Sequence, residues 1–135
     1  MSGAVKTESV PLRTALGRVR GLGSAKSDVH HWWVQRVTAV ALVPLTLWFV
    51  CAVIALAGEP LPVVRAWIAS PFNAVLLLCL IGATFHHLQL GLQVVIEDYV
   101  HNELAKLLSI LAVKFVCYAL AAACVFSVLK ISFGV

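Results

Sequence analysis

The hydrophobic pattern divides the chain into three long apolar runs separated by short polar breaks. No Asp, Glu, Lys or Arg lies between Arg36 and Glu59 or between Arg65 and Glu97, and a third run from Leu107 to Phe133 is interrupted only by Lys114 and Lys130. Each run is long enough for a helix to cross a bilayer, which takes about 20 apolar residues. Inside lipid the backbone must satisfy its own polar groups, so such runs span as helices. No strand-type alternation competes with this pattern. The runs predict three transmembrane helices over residues 34–57, 71–97 and 107–133, and an all-α integral membrane fold.

The breaks carry their own signals. Gly58-Glu59-Pro60-Leu61-Pro62 is a turn rich in helix breakers. Val63 to Ile68, with Trp67, is placed along the far interface, and Ser70-Pro71 starts the second span with Pro at the first helical position. Glu97 to Lys106 reads as a short polar connection, and Pro44 as a tolerated kink in the first span. His30-His31-Trp32-Trp33 precedes that span, and paired Trp beside Arg36 fits the interfacial belt. Met1 to Val29, with Gly21-Leu22-Gly23-Ser24, shows no sustained apolar period and reads as a tail that is flexible until docked.

Composition agrees: 61% of the 135 residues are hydrophobic and 12% are charged, half the soluble norm of about 25%. Lys6, Arg13, Arg18, Arg20, Lys26 and Arg36 lie in or beside the tail, whereas the loop after the first span offers only Arg65. That bias predicts a cytoplasmic N-terminus and a C-terminus across the membrane. The net charge of +4 follows from the tail; a topology signal explains it better than nucleic-acid binding. Cys51, Cys79, Cys117 and Cys124 fall inside the spans and read as packing residues; the lack of a C-x-x-C or C-x-x-C-H motif argues against a thiol site and against covalent c-type haem. The first apolar run begins too late for a cleavable secretory signal. The Arg-containing, acid-poor tail is compatible with a mitochondrial address, but a bacterial inner membrane is favoured.

The second span carries the chemistry. Ionisable groups at membrane depth are costly and usually functional, and His86-His87 lies deep in this run. At 3.6 residues per turn, His87, Gly91, Val94 and Asp98 fall near one face, with Asp98 about 16 Å further along the axis. A neutral imidazole is an axial ligand for haem iron, and a glycine one turn away leaves room for a flat cofactor. Close helix packing explains Gly91 equally well. His86 has its own face, shared with Gln93 and Glu97, and competes with His87 as ligand; either histidine is also readable as a hydrogen-bonding residue between helices. His30, His31 and His101 lie at the cytoplasmic boundary, so a bis-histidine haem needs its second ligand from another polypeptide. Three spans are also too few to enclose a large cavity. Arg36 is a candidate for haem propionates or a quinone carbonyl, with its level expected near Asp98 and Tyr99; the plainer alternative is snorkelling. Lys114 and Lys130 read as snorkelling residues.

The run His87-x3-Gly91-x6-Asp98-Tyr99, preceded by His30-x5-Arg36-x-Thr38-Ala39 at the first span, resembles the D-type hydrophobic membrane-anchor subunit of succinate dehydrogenase. The resemblance extends over the basic tail (1–29) and the membrane-anchor domain (30–135). It implies packing against a similar three-helix, cytochrome b-type anchor subunit, with one haem b between the two. His87 would be the axial ligand, Gly91 the packing surface, and Arg36 a neighbour of the propionates and quinone. Tyr99 would hydrogen-bond ubiquinone, with Asp98 beside it. Succinate oxidation would belong to flavoprotein and iron–sulfur subunits docked on the cytoplasmic face. The alternatives are a cytochrome b anchor of another respiratory dehydrogenase, a small proton or solute transport subunit using His86, Gln93 and Glu97, and a plain structural adaptor.

Overall fold

The computed structural model describes residues 26–134 together with Leu16 and Val19; most of the basic tail, with Lys6, Arg13, Arg18, Arg20 and Gly21 to Ser24, lies outside the described residues. Among residues 26–134, four helices follow in order: α1 (Lys26–Leu56), α2 (Leu61–Ala69), α3 (Pro71–Tyr99) and α4 (Glu103–Phe133). No strand occurs among the described residues. α1, α3 and α4 are long and apolar enough to cross a membrane.

The three expected spans are present, with longer ends. α1 starts at Lys26 rather than at residue 34. Its 31 residues extend about 46 Å, well beyond the roughly 30 Å hydrocarbon layer, so its early turns reach into the headgroup level. Trp32 and Trp33, in edge contact at 5.2 Å, are exposed there. Pro44 lies inside α1 without ending it. The polar connection shrinks to Val100 to Asn102, because α3 runs on to Tyr99 and α4 starts at Glu103. Asn102 makes that early start possible: its side-chain oxygen accepts from Ala105 N at 3.0 Å, the N-cap arrangement that satisfies a free backbone donor.

At the opposite end, Gly58 has φ 87°, a left-handed conformation that suits glycine, and turns the chain from α1 into α2. Trp67 of α2 stacks on Trp48 of α1 with ring centroids 5.5 Å apart. Asn73 Nδ2 of α3 donates to Trp67 O at 2.9 Å, satisfying a carbonyl at the end of α2. The expected interfacial segment is therefore a helix, pinned on two sides.

α3 is the middle element. It packs against α1 and α4, and α2 packs against both α3 and α4. Among the described residues five are buried: Ala74, Leu77, Gln89 and Leu90 belong to α3, and the fifth is Cys117 of α4. α3 also has the lowest mean hydropathy of the spanning helices, 1.7 against 2.5 and 2.2. A helix with protein on two sides can carry polar groups that a lipid-facing helix cannot. Most other large apolar side chains are exposed on this chain, which leaves broad faces for lipid or partner helices. Cys117 is buried, whereas Cys51, Cys79 and Cys124 are exposed and all four are free.

Candidate functional site

The site is built where α1 and α3 pass each other in opposite directions. Thr38 Oγ1 of α1 lies 3.0 Å from His87 Nδ1 of α3. One turn nearer the N-terminal end of α1, Gln35 faces Gly91: a Cβ added at Gly91 would have Gln35 Nε2 as its nearest neighbour, at 4.0 Å. These two pairings set the register of the helices.

His87 is half-buried, held by α1 through one ring nitrogen. It also lines an open groove of about 420 Å³ with Ala39, Leu42, Val43, Thr46 and Leu47, which form one face of α1. The spacing at Gly91 is ordinary van der Waals distance, so packing within this chain does not require a glycine there. Among the described residues no cluster of three His, Cys, Asp or Glu gathers to hold a bare metal ion.

His86 turns away from that meeting point. It is half-buried and makes no hydrogen bond among the described residues. Its side of α3 instead carries a ladder: Gln89 Nε2 donates to Gln93 Oε1 at 3.3 Å, and Gln93 Nε2 donates to Glu97 Oε1 at 2.8 Å. Gln89 is only 3% exposed, so the ladder leads from a buried amide to an exposed carboxylate. Gln93 and Glu97 were visible as a stripe in the sequence; Gln89, one turn deeper, completes it.

The register lowers Arg36. It comes level with Leu90, roughly 12 Å deeper than Asp98 along the helix axis, rather than beside Asp98 and Tyr99. Its guanidinium lies 5.4 Å from the centre of the Trp32 ring, one turn back toward the N-terminal end of α1. That is a cation–π contact within α1. Asp98 and Tyr99 sit exposed in the last turn of α3, and neither makes a side-chain hydrogen bond or ion pair among the described residues. His30 and His101 are exposed. His31 is half-buried, with an enclosed Nε2 that has no hydrogen-bond partner among the described residues. The structure thus brings together His87, Gly91, Thr38 and Gln35, leaves Asp98 and Tyr99 exposed in the last turn of α3, and sets Arg36 deeper, against Trp32.

A sequence model of the succinate dehydrogenase/fumarate reductase transmembrane subunit matches residues 11–121, most of the chain and all of the α1–α3 contact. The chain belongs to this family. It is 35% identical over 102 residues to the succinate dehydrogenase hydrophobic membrane anchor subunit of Rickettsia bellii, covering 76% of this chain and 82% of that one. The corresponding subunit of Paracoccus denitrificans is 31% identical over 114 residues, covering 84% and 88%. The succinate dehydrogenase membrane anchor subunit of Reclinomonas americana is 32% identical over 94 residues, covering 67% and 78%. No solved structure matches the chain. Among the described residues, the family's fold is seen here as four helices, three of them able to span. The anchor is a non-catalytic subunit of an oxidoreductase complex, an inner-membrane protein that works with the complex's other subunits. The relatives' names favour this role over another dehydrogenase's cytochrome b anchor, a transport subunit or a plain adaptor.

Proposed function

We propose that this anchor helps to hold one haem b through His87 and to form a ubiquinone site at the Asp98–Tyr99 end of α3, within a succinate:ubiquinone oxidoreductase. One observation carries the reading: His87 is fixed to α1 through Nδ1, which leaves its other ring nitrogen free beside an apolar groove. The residues fit a haem. The single imidazole of His87 would hold the iron, the apolar α1 side chains would pack on the porphyrin, and Gly91 adds no side chain on the His87 face. When bound, the haem supplies a one-electron redox centre in the membrane. The second ligand comes from a partner, a cytochrome b-type anchor subunit seated on the exposed faces.

The chain's own residues divide the remaining work. Arg36, always charged and anchored on Trp32, is available to a propionate or a quinone oxygen. Tyr99 offers a phenol O–H at the water boundary, and Asp98 beside it offers a carboxylate for proton exchange. The flavoprotein and iron–sulfur subunits dock on the same cytoplasmic face, next to Asp98 and Tyr99. The test is purification of the complex from native membranes through a tag on this chain. A b-type band that succinate reduces, together with succinate–quinone reductase activity, is expected in the purified fraction. A b-type band without succinate activity would assign the chain to a different dehydrogenase.

The proposed anchor also has an orientation, which the charge bias of the flanks supports. Six Lys or Arg residues in or bordering the tail, against Arg65 in the first loop, favour a cytoplasmic N-terminus. A reporter fused after Val135 is expected to be active on the far side of the membrane. Cytoplasmic activity of that fusion contradicts an odd number of crossings.

A further inference from the structure

A neutral histidine carries one N–H, and its neighbour decides which ring nitrogen keeps it. At His87 that neighbour is Thr38, whose hydroxyl has one proton and two lone pairs. Three groups compete for that proton. Thr38 Oγ1 is 2.9 Å from Val34 O, 3.0 Å from Gln35 O and 3.0 Å from His87 Nδ1. The two carbonyl oxygens only accept. Were the Thr38 proton given to Nδ1, Oγ1 would face both carbonyls at hydrogen-bond distance with no proton between them, in a partly buried place where such repulsion is poorly screened. The opposite assignment satisfies every group: Thr38 O–H points back to its own helix, and His87 Nδ1–H donates to a lone pair on Oγ1. Back-bonding of a threonine hydroxyl to the preceding turn is a common helix arrangement.

We propose that Thr38 is a positioning residue that locks His87 in the Nδ1–H tautomer, so that the Nε2 lone pair is always the one presented to iron. The inference rests on the haem reading above and adds to it a residue of α1. Among the described residues, this contact is the single side-chain hydrogen bond between two spanning helices. It therefore also fixes the rotation of the imidazole ring and ties its orientation to the α1–α3 register. Accepting the N–H makes the other nitrogen a better electron donor, which favours the oxidised iron.

The test compares Thr38→Val, Thr38→Ala and Thr38→Ser with His87→Ala in the purified complex. Subunit stoichiometry is read on gels, haem retention after detergent washing is read by absorbance, and the haem midpoint potential is read by titration. Val keeps the shape of Thr38 and removes the acceptor, whereas Ser keeps the hydroxyl. Losing a hydrogen-bond partner behind a metal-ligating histidine weakens metal binding by roughly 10–100-fold. Thr38→Val and Thr38→Ala are therefore expected to retain haem about tenfold more weakly and to shift the potential upward, with Thr38→Ser close to wild type. Should Thr38→Val not assemble, the Ala and Ser pair makes the same comparison. Equal shifts in Ser and Ala would assign the effect to the lost methyl and overturn the proposal. So would wild-type potential and retention in Val and Ala while His87→Ala loses the haem. A haem band that survives His87→Ala unaltered defeats the parent reading instead, which keeps the two failures apart.

Discussion

His87→Ala is expected to abolish or alter the b-type absorption of the purified complex, and His86→Ala to leave it largely in place. The two residues are adjacent and both half-buried, so sequence position and burial do not separate them. Their surroundings do. His87 is held through Nδ1 by Thr38 and lines the groove along α1. His86 lacks such a contact among the described residues and lies on the side of the Gln89–Gln93–Glu97 ladder. A ligand whose orientation is fixed from behind binds metal better than one free to rotate. Complete loss of the band follows if no other ligand fills the vacated position, and an altered band follows if one does. A reversed outcome, with His86→Ala losing the haem, makes His86 the ligand. Gly91→Ala in the same preparation asks what the glycine is for. Its Cβ has nothing nearer than Gln35 Nε2 at 4.0 Å, and alanine favours a helix by about 1 kcal/mol, so the chain itself accepts the change. Haem loss in that variant reports a close approach from outside the chain.

The spans were legible because the signal for them is local. An uncharged run of this length has few stable forms other than a spanning helix; α3 and α4 contain their expected intervals, and α1 covers all of its own but the last residue, Ala57. The helix ends were less legible: hydrophobicity falls off at the headgroup level, but helical backbone continues through His30 to Trp33 and through Glu103 to Lys106. The His87, Gly91 and Asp98 face followed from helical periodicity alone. What periodicity does not contain is the register between α1 and α3. Thr38 stood in the motif that suggested the family, yet its contact with His87, 49 residues further along the chain, depends on how their two helices slide past each other. The same unknown displaced Arg36, which counting from the membrane boundary put level with Asp98 and which the register puts about two turns deeper. Gln89 was missed for a different reason. It lies about 60° around the helix from His86, off the stripe of His86, Gln93 and Glu97, and its hydrogen bond to Gln93 is what joins it to them.

Tyr99→Phe is expected to lower quinone reduction by about threefold or more while succinate oxidation by an artificial acceptor stays near wild type. Tyr99 is 78% exposed, and its hydroxyl makes no hydrogen bond among the described residues. Its phenol is therefore free for a pocket that partner subunits complete. The ring is apolar and the hydroxyl is a donor, a combination that suits a quinone head group at the membrane boundary. Phenylalanine keeps the ring and removes the donor, so the variant isolates one hydrogen bond. Such a bond contributes roughly 0.5–1.5 kcal/mol net, and more when its loss leaves a buried partner unpaired; each 1.36 kcal/mol is about tenfold in rate. The artificial acceptor takes electrons before the quinone site and so reports on the soluble subunits and their docking. An interfacial tyrosine of the aromatic belt, with no part in quinone binding, leaves both activities unchanged. Equal loss of both indicates failed assembly, because a docking defect removes electron delivery to either acceptor. Selective loss of quinone reduction, with haem content preserved, places the hydroxyl of Tyr99 at the quinone.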